Sequence, residues 1–183
     1  MANPSARWHS EHVDFNRLLD LLEEQVGAFH TGEAPNYNLM RDIVHYLTAY
    51  ADRLHHPRED VAFQRLVQRD PSLQLPINRV LQEHRVIAAA GQALLERLDE
   101  VTADLVIPRE SLESAAATYL VYYRHHIAGE EAKVLPRARE LLRREDWAAV
   151  TAAMVATPDP SFGSDPQAHF AALRKQIDRE ATL

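Results

Sequence analysis

Apolar residues recur along this chain at intervals of three and four, and four long stretches each carry a continuous apolar seam. That spacing is helical, because side chains three and four apart stack on one face. The first stretch, about Trp8 to His30, aligns His12, Phe15, Leu19, Leu22, Val26 and Phe29, and Thr31-Gly32-Glu33-Ala34-Pro35-Asn36 stops it. The second, about Asn38 to Arg69, aligns Ile43, Val44, Leu47, Ala51, His55, Glu59, Phe63 and Leu66 and ends at Asp70-Pro71; Pro57 inside it predicts a kink. The third, about Pro76 to Glu100, aligns Ile77, His84, Ile87, Gly91, Leu94 and Leu98. The fourth, about Arg109 to Arg144, aligns Leu112, Ala116, Tyr119, Tyr122, His126, Glu130 and Val134, with a bend expected at Pro136. Asp146 is placed to cap a fifth helix from Trp147 to about Ala156, and after a loop from Thr157 to Ser164 a sixth runs around Gln167 to Arg179. The pattern predicts an all-α fold: an antiparallel four-helix bundle over residues 1–145 and a C-terminal helical extension over 146–183 that packs on it.

Each seam is interrupted by ionisable residues where core residues belong, and the interruptions repeat. Glu11-His12 is followed 43 residues later by His55-His56-Pro57-Arg58-Glu59, and Glu83-His84 is followed 42 residues later by His126-Ile127-Ala128-Gly129-Glu130. A lone histidine on one helix, then a His-x-x-x-Glu pair on the next, supplies one imidazole and, one turn apart, an imidazole and a carboxylate. Two such halves closed face to face give four imidazoles and two carboxylates: His12, His55, Glu59, His84, His126 and Glu130. Nitrogen and oxygen donors without thiolate suit iron, manganese or zinc, and a bridging carboxylate favours a pair of ions. A single histidine on an apolar stripe is more often a hydrogen-bonded core residue than a ligand. Four such histidines, two of them with Glu one turn on, outweigh that explanation, and burying Glu59 and Glu130 without a cation would be costly.

Several neighbours stay open. His9, His56 and His125 could hydrogen-bond a ligand, line an access path or lie on the surface, and His30, His45 and His169 read as structural or exposed. His56 with Asp60 is also four apart; His55 with Glu59 is preferred because the partner pair keeps Glu. Tyr119 and Tyr122 share the face of His126 and could offer a hydroxyl to a bound ligand or serve as core.

Composition narrows the chemistry. The 183 residues contain no Cys, which removes disulfides, thiolate metal sites, iron-sulfur ligation and cysteine nucleophiles together. A net charge of -7, with Arg interspersed among acids, argues against a nucleic-acid footprint. No apolar run approaches the roughly 20 residues of a membrane span, and Met1 to Trp8 has no secretory apolar stretch, so a soluble, cytoplasmic protein is expected.

The Glu11-His12 opening, His55-His56-Pro57-Arg58-Glu59-Asp60, Glu83-His84 and His126-Ile127-Ala128-Gly129-Glu130-Glu131 running into Leu135-Pro136 resemble the hemerythrin-like, or HHE cation-binding, family over roughly Trp8 to Leu142. The resemblance implies a four-helix bundle holding a non-haem di-iron centre, with His12, His55, Glu59, His84, His126 and Glu130 as ligands and the two glutamates as bridges. Oxygen-carrying members have a second His four residues after the third-helix His, where this chain has Ala88, and end in His-x-x-x-x-Asp, where it has His126 and Glu130. Those departures argue against reversible oxygen carriage. Relatives that repair iron-sulfur clusters carry an N-terminal cysteine module, absent here. Ferritin-like sites use Glu-x-x-His, a spacing this chain lacks. The expected function is binding of, or reaction with, dioxygen, peroxide or nitric oxide at a di-iron site, in stress defence or iron handling. Zinc or manganese, a homodimer, and an iron-responsive sensing module without turnover are the alternatives.

Overall fold

The computed structural model of the protein describes residues 4–153 and 166–181. All regular structure among them is helical, in the order α1 (Pro4–Thr31), α2 (Tyr37–Tyr50), α3 (His56–Arg69), α4 (Gln74–Thr102), α5 (Arg109–Gly129), α6 (Leu135–Leu141), α7 (Arg144–Ala153) and α8 (Pro166–Glu180). Two five-residue π-helical turns, Ala51–His55 and Glu130–Val134, join α2 to α3 and α5 to α6. The second and fourth predicted helices are therefore each one arm in two parts, as Pro57 and Pro136 foretold. Proline lacks the donor that an α-turn needs and crowds the carbonyl four residues back. The wider turn relieves the crowding: the His56 amide reaches the Ala51 carbonyl and the Leu135 amide the Glu130 carbonyl, five residues back in each case.

Short connections are set by local hydrogen bonds. Gly32 takes a positive φ of 79° after α1, and the Asn36 side chain accepts the Leu39 amide at 3.0 Å to start α2. Asp70 accepts the Ser72 amide at 3.1 Å and closes the turn between α3 and α4. Asp146 acts differently from the cap expected of it. It sits in the first turn of α7, reaches back to the Arg143 amide at 2.9 Å, and is buried against Arg65 and Arg69. The expected loop 157–164, the end of the fifth helix beyond Ala153 and the His169 side chain lie outside the described residues.

Helix α4 packs along α5 and α2, α1 along α2 and α5, and α3 against α4, α6 and α7. The predicted seams are the ones buried, apart from Val26, which is half-buried, and Tyr122, which is 46% exposed while Tyr123 takes the inward position on α5. The apolar interior falls into two clusters. One gathers Phe15, Leu19, Leu22, Leu47, Ile87, Leu94 and Tyr119, with Ile177 of α8 added from outside. The other gathers Trp8, Phe63, Leu66, Ile77, Leu135 and Val150 of α7. His12, His55, Glu59, His84, His126 and Glu130, all buried, belong to neither cluster. No described helix is long and apolar enough to cross a membrane.

Two glycines test the packing. A Cβ on Gly91 would overlap the Thr48 methyl and come within 3.0 Å of the Tyr119 ring, whereas one on Gly27 would meet nothing within 4 Å. Thr48 cannot turn away freely, since its hydroxyl donates to the Val44 carbonyl at 2.9 Å. Gly91→Ala is expected to destabilise by about 1–3 kcal/mol through overpacking despite its better helix propensity. Gly27→Ala is expected to stabilise by roughly 0.5–1 kcal/mol. Urea unfolding of both variants checks the contrast; equal gains in both would contradict the close α2–α4–α5 contact.

Candidate metal centre

The structure brings all six sequence-predicted site residues into one buried cluster and adds a seventh, His56. Each is placed by its helix: His12 on α1, His55 at the end of the first π turn, His56 and Glu59 in the first turn of α3, His84 on α4, His126 near the end of α5, and Glu130 opening the second π turn. Consecutive residues on an α-helix point about 100° apart, too far for both to face one interior point. The wider π turn brings both His55 and His56 inside, where they are 1% and 4% exposed. His56 is thus a core member of the cluster rather than the alternative to His55, and its ring stacks on His84 at 4.0 Å.

The donors sort into two overlapping groups. His12, His55, Glu59 and Glu130 form one, and His56, Glu59, His84 and His126 the other; within each, the candidate ligand atoms lie within 4.8 Å of one another. Both carboxylates span the halves. Glu59 has one oxygen 3.2 Å from His55 Nε2 and the other 3.8 Å from His84 Nε2. Glu130 has one oxygen 3.3 Å from His12 Nε2 and 3.4 Å from His126 Nε2, and its other oxygen is 3.4 Å from His84 Nε2.

Every imidazole of the cluster turns its Nδ1 outward to a different carboxylate. His12 pairs with Glu131 at 2.8 Å, His55 with Glu11 at 2.6 Å, His56 with Asp52 at 3.1 Å, His84 with Asp60 at 2.8 Å and His126 with Glu83 at 3.4 Å. A histidine that donates Nδ1–H to a carboxylate presents the Nε2 lone pair on its opposite side, and the donation raises its basicity. All five lone pairs therefore face inward. His12 and His55 bring two of them within 3.0 Å of each other. Two nitrogens bound at about 2.1 Å to one ion, at a right angle, would lie about 3.0 Å apart.

Three of these inward nitrogens, on His56, His84 and His126, and all four oxygens of Glu59 and Glu130 are buried without a hydrogen-bond partner. At about 1–3 kcal/mol per unsatisfied buried group, the set amounts to roughly 10–20 kcal/mol, comparable with the whole net stability of a domain. A bound cation satisfies them together, so the donor set fits the metal that its chemistry implies.

Without metal, protons occupy part of that role. Burial opposes charge on His55, but Glu59 and Glu11 prevail and hold it up to about 9. Burial likewise opposes charge on His84, and Asp60, Glu130 and Glu59 hold it up to about 10. Burial, with the neighbouring His84, His55 and His126, drives His56 well below its usual value. Glu130, against its own burial, is held well below the carboxylate range by His126, His12 and His84. Glu11 is buried too, yet His55, Arg58 and Tyr50 bring it down to about 2; Tyr50 donates to it at 2.8 Å and Arg7 at 2.9 Å.

Sequence reasoning left His56 open, as a neighbour or as an alternative to His55, and assigned none of the five outer carboxylates the role of anchoring an imidazole. For four of the five carboxylates the signal was in the repeat itself: Glu11 and Glu83 precede the lone histidines, and Asp60 and Glu131 follow the inner glutamates, whereas Asp52 has no counterpart in the other half. Each of the four serves an imidazole on another helical arm, Glu11 to His55, Glu83 to His126, Asp60 to His84 and Glu131 to His12. His9 only shares Glu131, at 3.1 Å, and His125 sits outside beside Arg79, with its ring 61% exposed. His30 and His45 are exposed. Tyr119 and Tyr123 are fully buried with unpartnered hydroxyls, while Tyr122 faces outward.

The profile of the hemerythrin HHE cation binding domain matches residues 3–138. The chain belongs to that family, a class of helical, cation-binding domains to which the centre above corresponds. The chain is also similar to one of the subunits of eukaryotic translation initiation factor 3 from Candida glabrata, 24% identical over 188 residues. That match covers 96% of this chain but only 22% of the length of the relative. No solved structure matches the chain.

The proton occupancy has a measurable sign. His55 and His84, raised when folded, stabilise the metal-free protein fully below the ordinary histidine value of 6.5, and that stabilisation is lost as pH rises through about 9 and about 10. His56, lowered when folded, acts oppositely and is lost on acidification below 6.5. The urea midpoint of metal-free protein is thus expected to fall between about pH 7 and pH 10, while apparent metal affinity rises over the same window because binding displaces the protons. A midpoint and an affinity both flat across that range would contradict the assignment.

Proposed function

We propose that this protein is a non-haem di-iron member of its family that binds and reacts with small oxidants: dioxygen, peroxide or nitric oxide. The observation that carries the reading is the inward convergence of five imidazole nitrogens on two carboxylates that each reach both halves. His12 and His55 would hold one ion, His56, His84 and His126 the other, and Glu59 and Glu130 would bridge them. Bound iron supplies one-electron redox chemistry and coordination positions that these ligands leave open.

The chain's own residues do the rest. The Nδ1 anchors fix each ring and its tautomer, so the donors are held before a metal arrives. Phe15 packs edge-on to His55 at 5.0 Å and lies 6.1 Å from the Tyr123 ring, closing the His12 and His55 side with apolar surface that excludes bulk water. The antiparallel four-helix arrangement, a cytoplasmic location and the division at residue 145 belong to the same proposal. A second reading, an iron-responsive module that reports by changing its fold, draws support from the unpaired buried set, whose stability would rise on metal binding.

Elemental analysis of protein expressed with added iron is expected to give about two irons per chain, falling to clearly fewer in a His55→Ala, His126→Ala double variant. Glu131→Gln and Asp60→Asn, which touch no ion, are expected to weaken affinity by about 10–100-fold. Peroxide or nitric oxide should then change the optical and Mössbauer spectra of the loaded protein. Iron without any spectral response, accompanied by a large gain of protease resistance on loading, would favour the sensing module. Absence of iron would overturn both readings.

A further inference from the structure

The chain has two tryptophans, and they touch. Trp8 of α1 is 1% exposed, and its ring lies 5.4 Å from that of Trp147 on α7, which is half-buried at the surface. On its inner side Trp8 meets Phe63 edge-on at 6.4 Å, and Phe63 stacks on the His84 ring at 6.5 Å. A continuous line of packed rings therefore runs from the surface of α7 to a candidate metal ligand. Apolar packing alone explains rings in this cluster, but not why both readily oxidised indoles of the chain lie in series on this one path.

The other aromatic groups near the centre are poorly suited to carry an electron. Oxidising a tyrosine at neutral pH requires its phenolic proton to leave. Tyr119 and Tyr123 have no partner to receive it. Tyr50 donates to Glu11, whose oxygens already accept from Arg7, Arg58 and His55. An indole can give up one electron and keep its N–H, so no acceptor is needed along the Trp8 path.

We propose that Trp8 and Trp147 form a one-electron relay between the metal centre and a surface on α1 and α7 where a small one-electron donor delivers electrons. The proposal rests on the reading that the centre holds redox-active iron. Reduction of one hydrogen peroxide to two waters takes two protons, from solvent, and two electrons. The electrons would pass singly: Trp8 would give one up toward the His84 side and become an indole radical cation with its proton in place. Trp147 refills Trp8, and a donor such as ferrocyanide refills Trp147 and becomes ferricyanide. No covalent bond of the chain forms or breaks, and Phe63 is packed medium that is never oxidised.

The test uses the iron-loaded full chain and its Trp8→Phe and Trp147→Phe variants, with iron content and the optical response to peroxide measured first. Samples frozen at milliseconds after peroxide addition are read by electron paramagnetic resonance, with and without ring-deuterated tryptophan. The parent is expected to give a transient organic radical whose line narrows on deuteration, and Trp8→Phe should lose at least ten-fold of it. Trp147→Phe, which alters a half-buried ring, should keep a Trp8 radical that ferrocyanide quenches several-fold more slowly. A parent with no radical, a signal unmoved by deuteration, or an undiminished radical in Trp8→Phe overturns the relay while leaving the iron reading intact. A protein with no iron or no optical response overturns the functional reading and the relay with it.

Discussion

The fold is organised around a charged layer that it would otherwise pay heavily to bury. Five imidazoles and two carboxylates stand between two apolar clusters, and five further carboxylates hold the imidazoles from behind. An isolated buried carboxylate costs several kcal/mol, so Glu59 and Glu130 are tolerable only if positive charge faces them. In the metal-free chain that charge is protons on His55 and His84; a pair of cations would supply it more completely. The dependence also runs outward. Glu11 joins α1 to the first π turn, Asp60 joins α3 to α4, Glu83 joins α4 to α5, and Glu131 joins the second π turn to α1. The contacts that aim the site are the ones that tie the helical arms together.

The two halves repeat in sequence but are not equivalent. In the first half the proline follows His55 by two residues; in the second it follows His126 by ten. The π turn that accommodates proline consequently falls on the histidines in one half and on the glutamate in the other. The first half gains a second inward imidazole, His56, and the second half does not, since His125 faces solvent. One backbone irregularity thus separates a three-imidazole group from a two-imidazole group. The chemical asymmetry of the centre has its origin in the position of Pro57.

Much of this was legible before any coordinates. Helical spacing located every helical arm, because seams such as Ile77, His84, Ile87, Gly91, Leu94 and Leu98 stay in phase over many turns. The repeat located the six residues of the cluster, because carboxylates and imidazoles on apolar seams need a reason to be there. Position along a continuous helix could offer His56 only as an alternative to His55, not beside it. An ideal α-helix would have turned it away, and only the π turn brings it in. The exchange of Tyr122 for Tyr123 has another cause: they follow Tyr119 by three and four residues on a continuous α-helix, so spacing fits either, and packing turns Tyr123 inward. The pairing of the outer carboxylates was not legible for another reason: Glu11 stands beside His12 in the chain, yet the bundle directs it to His55 on the neighbouring arm.

The measurement closest to the central claim is X-ray absorption at the iron edge of the loaded protein, compared with that of His56→Ala. The account predicts imidazole multiple scattering averaging two to three rings per iron, a metal–metal vector, and loss of about one ring from the pair in the variant. A single iron without a metal–metal vector, or a spectrum that His56→Ala leaves unchanged, would contradict it.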